Sequence, residues 1–246
     1  MRALLLAVIA LLVCPVASAA PRDGLVAYYS FDGSPEDSGP YLLDGAEVGP
    51  VAYGPGVRCQ AAVFDGVRSH VRVDGFVGEL QGFSAWIKPA FPITPVAGGG
   101  GLFGRSVGGP AAPYLHLGSL TGQVTDELIS ILMPYQPQND SVFYWTGVDI
   151  GEDIDTDWNH LALSWDQAAA NYRLFLNGED KGLGRIHNLP QVVVLDGLTM
   201  GGYGGTPSTF LEGSVDEVRI YERPLTVAEI EVAANLSDVV VAGGCD

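Results

Sequence analysis

Asn159-His160-Leu161-Ala162-Leu163-Ser164-Trp165 and, further on, Arg173-Leu174-Phe175-Leu176-Asn177-Gly178 are the stretches that decide the fold. Leu161, Leu163 and Trp165 alternate with His160, Ala162 and Ser164, and Leu174 and Leu176 alternate with Arg173, Phe175 and Asn177. Side chains on a strand change face at every residue, so this period of two predicts two half-buried strands. Asn177-Gly178 accepts the two positive φ values of a type I′ turn and marks a hairpin before Glu179-Asp180-Lys181.

The same pattern spreads outward from that hairpin. Leu25, Ala27, Tyr29 and Phe31 share one face of a first strand, and Val71 and Val73 alternate with His70 and Arg72. Phe83, Ala85 and Ile87 oppose Ser84, Trp86 and Lys88. Helical signals come only near the end, where Thr226-Val227-Ala228-Glu229 forms a capping box behind Pro224. It predicts a short helix with Val227, Ile230 and Ala234 on one face. The glycines at 98–101 and Gly108-Gly109-Pro110 bracket a region read as variable rim loops. These patterns predict an all-β, two-sheet antiparallel sandwich closed on one side by a C-terminal helix.

Residues 3–13 form an apolar run behind Arg2, followed by Ala17-Ser18-Ala19. The run is too short for a permanent span and ends in the small-x-small pattern of a cleavage site, so residues 1–19 are expected to be a signal peptide. Val13 before Cys14 is not the small residue a lipobox requires, which argues against lipidation. Later hydrophobic stretches are interrupted by Gly, Pro or charge, and no transmembrane segment is expected. The expected location is therefore extracellular or periplasmic. One domain is expected over 24–235, with a short tail over 236–246. Removal of the signal leaves Cys59 and Cys245, whose even number in an oxidising compartment points to one disulfide; two free thiols are the alternative.

The formal charge is −17. Such an excess of carboxylates repels phosphate backbones and excludes nucleic acid as a partner. Asn139-Asp140-Ser141 and Asn235-Leu236-Ser237 match the N-glycosylation pattern, which has meaning only if the source is not bacterial.

Five motifs in order resemble the laminin G-like jellyroll modules of the concanavalin A-like lectin/glucanase superfamily. They are Gly24-Leu25-Val26-Ala27-Tyr28-Tyr29-Ser30-Phe31-Asp32 with Asp37-Ser38-Gly39, then Ala62-Val63-Phe64-Asp65-Gly66, then Phe83-Ser84-Ala85-Trp86-Ile87. Trp158-Asn159-His160 with the hairpin at Asn177-Gly178 follows, and Gly213-Ser214-Val215-Asp216-Glu217-Val218-Arg219-Ile220-Tyr221 closes the series. Residues 90–157 depart from the family pattern. The resemblance implies a secreted module that recognises carbohydrate or an extracellular protein. A structural or adhesive surface protein without a discrete pocket is the alternative, and a glycoside hydrolase of the glucanase group is the third reading.

Period-two alternation puts Asp216 on the face of Val218 and Ile220, turned inward, where a carboxylate needs a partner. The resemblance implies a structural Ca²⁺ at Asp216 and Asp32, with Asp37 and Gly66 expected to help complete its shell of about 6 to 8 oxygens. The alternative is that Asp216 caps amides or pairs with Arg219.

Asp153, Asp155 and Asp157 could form a carboxylate row, but retaining hydrolysis needs an acid and a nucleophile about 5 Å apart, which the family builds with Glu; a solvated loop is expected instead. Gly104-Arg105-Ser106-Val107-Gly108 spells a nucleophile elbow without the following helix, and no catalytic residue is expected. His70, His116, His160 and His187 lack metal-ligand spacing, and His160 is read as structural. Tyr114, Tyr144, Trp145 and Tyr203 are the candidate sugar-stacking residues, whereas Trp86, Trp158 and Trp165 are expected to pack within the fold.

Overall fold

A computed structural model describes residues 23–93, 101–104, 114–117, 129–133, 144–148, 153–166, 171–185, 194–202 and 210–235. One antiparallel sheet contains β1 (Leu25–Tyr29), β3 (Ala52–Pro55), β4 (Gln60–Asp65), β6 (Gly82–Pro89), β11 (Asn159–Asp166), β12 (Asn171–Leu176), β13 (Glu179–Arg185) and β15 (Glu212–Tyr221). The other contains β2 (Ala46–Val48), β5 (His70–Glu79), β7 (Gly101–Gly104), β8 (Tyr114–Leu117), β9 (Ile129–Met133), β10 (Tyr144–Val148) and β14 (Val194–Met200). The first runs β13-β12-β11-β6-β15-β4-β3, with β1 also on β15, and the second β10-β9-β8-β7-β14-β5-β2.

The alternating residues do what their spacing predicts. Phe83, Ala85, Ile87, Leu161, Leu163, Trp165, Leu174 and Leu176 enter the core between the sheets, with Val71, Val73, Leu198 and Met200 among those opposite. Leu176 pairs with Glu179 across a two-residue loop in which Asn177 and Gly178 have φ of 53° and 81°, the two positive values of the expected turn. The Asn177 side chain also accepts the His160 amide at 2.8 Å.

The opposite face of the first sheet is covered too. Helix α1 (Val227–Ala234), opened by the Thr226–Glu229 capping box, packs Ile230 with Ala162, Phe175, Tyr221 and Leu225. Trp86 donates from Nε1 to the Ala233 carbonyl at 3.3 Å, and Ser164 donates to Leu225 at 2.9 Å. Ile230 and Ala234 are buried as expected, but Val227 is exposed and Ala233 takes its place. Val227 stands in the first turn of the helix.

The region between 90 and 157 is not only rim loop. It supplies β7 to β10, four of the seven strands of the second sheet, in strands of four or five residues too short for alternation to register. Among the described residues no helix is long and apolar enough to cross a membrane.

Candidate functional site

Three chain segments meet beside the middle of β15: the exit of β1, the turn between β3 and β4, and a bulge in β15 itself. Each carries a non-glycine residue in the left-handed region, Phe31 at φ 55°, Cys59 at 41° and Glu217 at 54°. Such residues are uncommon and each costs on the order of 1 kcal/mol or more, so their convergence marks a place the fold holds against local preference. Two carboxylates pin the turn. Asp32 Oδ1 accepts the Gln60 amide at 3.0 Å, and Asp216 Oδ2 accepts the Arg58 amide at 3.1 Å.

The bulge corrects the expected orientation of Asp216. Val215 pairs with Ile87, and the ladder with β6 shifts register between Asp216 and Arg219. Val215, Val218 and Ile220 all enter the core, so two residues occupy the place of one and Asp216 is not on their face. The apolar spacing of three between Val215 and Val218 was the readable sign of that extra residue.

The two neighbouring acids in the bulge have opposite circumstances. Glu217 is paired with Arg219, lies 3.7 Å from Arg58, and receives the Tyr28 hydroxyl at 2.8 Å, while Arg219 sits 4.4 Å from the Tyr28 ring centre. Asp216 is fully buried, and among the described residues no cation lies within ion-pair reach of it. Its Oδ1 has no hydrogen-bond partner among the described residues. Burial pushes its carboxyl up to about 8, against the lowering effect of the Arg58 amide and with the Glu217 charge raising it further.

The oxygens gathered at this turn are hard donors. Asp216 Oδ2 and the Gln60 carbonyl each lie 2.6 Å from where a β-carbon on Gly56 would stand, with the Arg58 carbonyl nearer still. Two carbonyls and one oxygen of the Asp216 carboxylate therefore come together here, the other oxygen of that carboxylate being unpartnered among the described residues, and such donors suit Ca²⁺ better than a softer metal. Among the described residues no group of three or more His, Cys, Asp or Glu could hold a metal, so any ion here would rely on carbonyls.

Asp37 and Gly66 do not join this cluster. Asp37 is spent on amides, those of Tyr28 at 2.7 Å, Gly39 at 2.6 Å and Leu43 at 2.8 Å, beside β1. Gly66 packs on Glu212, four residues of strand from Asp216, about 13 Å away at the rise of an extended chain and far beyond a shared coordination shell. Asp65 instead closes its own turn, accepting the amides of Val67, Arg68 and Ser69 at 2.8–2.9 Å, and these hold its carboxyl below the usual range although its partial desolvation opposes them.

Asp153, Asp155 and Asp157 are exposed, as a solvated loop requires. Asp155 Oδ1 accepts the Asp157 amide, and Lys181 and Lys88 reach Asp153 and Asp157 at 2.9 and 3.5 Å. His160 is fully buried and structural, with Nε2 2.8 Å from Ser84 Oγ, its ring 5.4 Å from that of Trp86, and Nδ1 unpartnered. Burial, helped by the Arg219 charge, pushes it down to about 3, so the imidazole is neutral.

Tyr114 opens β8, and Tyr144 and Trp145 open β10. Tyr203, Ser106 and Cys245 lie outside the described residues, as do the expected signal peptide and tail. The residues that sequence reading passed over are Glu217, Arg58 and Tyr28, together with Tyr41, exposed in the loop after Asp37.

A family model described as the concanavalin A-like lectin/glucanases superfamily matches residues 65–231. The chain belongs to this superfamily. Among solved structures this superfamily member is similar to domain 4 of AbnA, a GH43 extracellular arabinanase from Geobacillus stearothermophilus, in complex with arabinotriose. The identity is 26%, the match covers 85% of this chain and 98% of that one, and the TM-score is 0.64. It is also similar to the binding domain of botulinum neurotoxin serotype D (13% identity, 89% of this chain and 53% of that one, TM-score 0.67). The receptor binding domain of the C/D mosaic serotype matches likewise (14%, 89% and 52%, TM-score 0.68). The chain spans about half of the toxin domains, and at these identities they share its fold alone. No curated protein sequence matches the chain.

Proposed function

We propose that this chain is an exported, non-catalytic binding module that recognises a glycan, stabilised by one Ca²⁺. The observation that carries the reading is the likeness, at 26% identity, along 98% of a domain solved with arabinotriose. Export is supported by the signal-like residues 1–19. The absence of a catalytic role is supported by the state of the chemically able groups: Asp153, Asp155 and Asp157 form an exposed turn, and the Ser84–His160 pair is sealed beneath α1.

The ion would be held by Asp216 and Asp32 with carbonyls of residues 58 and 60. When bound, Ca²⁺ would supply positive charge to a buried carboxylate that has no other counter-charge among the described residues. A Cys59–Cys245 disulfide would add a covalent tie from the same turn to the tail, a reading supported by Cys59 being disulfide-bonded.

The test is calorimetric titration of the exported protein, in calcium, with arabinan, xylan, glucan and galactan oligosaccharides, alongside an assay for new reducing ends. Binding without cleavage is expected. Failure to bind any of them would return the chain to the structural or adhesive reading, and release of reducing ends would restore the hydrolase.

A further inference from the structure

The segment from Asp23 to Val57 contains no Lys, Arg or His, but holds Asp23, Asp32, Glu36, Asp37, Asp44 and Glu47. Within it, the loop following Asp37 presents two large apolar side chains to solvent, Tyr41 at 61% exposure and Leu42 at 71%. An isolated exposed apolar residue needs no explanation. This pair differs because the loop beneath it is rigidly made.

Asp37 gathers the Tyr28, Gly39 and Leu43 amides, Asp44 accepts the Asp37 amide at 3.0 Å, and the buried Tyr29 hydroxyl donates to the Leu43 carbonyl at 2.8 Å. Gly39 lies so close to β1 that a β-carbon there would stand 2.9 Å from the Ala27 α-carbon. Pro40 fixes one backbone angle just before Tyr41. Leu43 packs on the core, while Leu42 takes a φ of 52° and stays outside. A chain free to relax would not hold a leucine in that conformation in order to expose it.

We propose that Tyr41 is the stacking platform of a sugar subsite, and that the subsite takes uncharged glycans. This rests on the glycan-binding reading above and gives it a location and a selectivity. A tyrosine carried on a hydrogen-bonded loop offers a flat apolar face to solvent, which is what stacking on a pyranose or furanose ring requires. Asp44 keeps one carboxylate oxygen beyond its bond to Asp37 and, with the exposed Glu36, provides hydroxyl acceptors in the same loop. Arg72, which the pairing of β2 with β5 brings opposite Ala46, is held by Asp74 at 2.9 Å. The field at the loop is therefore negative, and a uronic or sialic carboxylate would be repelled.

The experiment titrates the full exported protein with arabinotriose, xylotriose, cellotriose and trigalacturonate at low and high salt, for wild type, Tyr41→Ala and Tyr41→Phe. Wild type is expected to bind at least one neutral trisaccharide. Tyr41→Ala should weaken that binding by about tenfold or more, Tyr41→Phe should retain it within about threefold, and trigalacturonate should not bind at low salt. Neutral binding unaffected by Tyr41→Ala would overturn the subsite and leave the glycan-binding reading standing. Absence of all binding in wild type would overturn both, and trigalacturonate binding as tightly as the neutral sugars would overturn the selectivity. Because Tyr41 is exposed, circular dichroism of Tyr41→Ala should match wild type; if it does not, the Tyr41→Phe and salt arms decide.

Discussion

His160 should make the protein lose stability in mild acid, and the loss can be worked from its surroundings. The folded ring sits at about 3, below the ordinary 6.5, because it is buried and faces Arg219. A depressed folded value means the unfolded chain binds the proton more readily, so stability is full above about 6.5 and falls as pH drops toward 3. Between pH 7 and pH 5 the loss from this one group is about 2 kcal/mol. Asp216 works in the opposite direction over the same range, since its carboxyl is raised to about 8 and folding is penalised as pH climbs from about 4 toward 8. The wild-type profile alone is therefore uninformative, and the difference from His160→Gln is what matters. Gln does not titrate and can keep a hydrogen bond to Ser84. Urea midpoints would be measured for both proteins at pH 7 and pH 5, where about 2 kcal/mol corresponds to roughly 0.7 to 2 M urea. The gap between wild type and variant should shrink by that amount in acid. Midpoints that move in parallel would show that His160 is not held neutral beneath α1, and the account of that pocket would fail.

Three further outcomes are expected. Millimolar calcium should raise the thermal midpoint over chelator by roughly 5 °C or more if the site is well filled, and Asp216→Ala should abolish that difference; a chelator-insensitive wild type removes the calcium proposal. Gly201→Ala should cost about 1 to 3 kcal/mol in chemical unfolding, because the position has φ of 81° and a β-carbon would meet the Phe64 ring at 2.7 Å. Glu229→Ala removes the capping-box acid and a partner of Arg223 together, and should cost about 1 to 2 kcal/mol at pH 7. That difference should fade below pH 4.5, since the Arg223 hydrogen bond holds the Glu229 carboxyl down to about 2 and its stabilisation is lost as pH falls through that range.

The strands that were legible in the sequence are those with one clean apolar face and a turn residue of restricted type. Leu161, Leu163 and Trp165 gave their strand through spacing, and Asn177-Gly178 gave the hairpin through the backbone angles it tolerates. Strands β7 to β10 were hidden because four or five residues offer only two or three inward positions. The bulge at Asp216 was misread for a different reason. Period-two reasoning assumes an unbroken ladder, and one inserted residue moves every later assignment to the other face. The Tyr41 loop was missed because what distinguishes it is the set of amides on Asp37, and hydrogen bonds between residues up to nine apart leave no periodic trace.

The contrast between the two acids of the bulge bears on why the junction is built as it is. Glu217 meets two arginines and a tyrosine, so its burial is compensated within the chain. Asp216, equally buried, keeps an unpaired oxygen, and an isolated buried carboxylate is among the most costly groups a fold can carry. Replacing Asp216 by Asn would remove the cost of burying that charge. Retaining the carboxylate beside the carbonyls of residues 58 and 60 makes physical sense if a cation completes it. On the calcium proposal, ion binding and protonation compete for the Asp216 carboxyl, so affinity should weaken as pH falls below about 8. The turn that carries Arg58 and Cys59 would then be fixed by an external ion rather than by the chain alone.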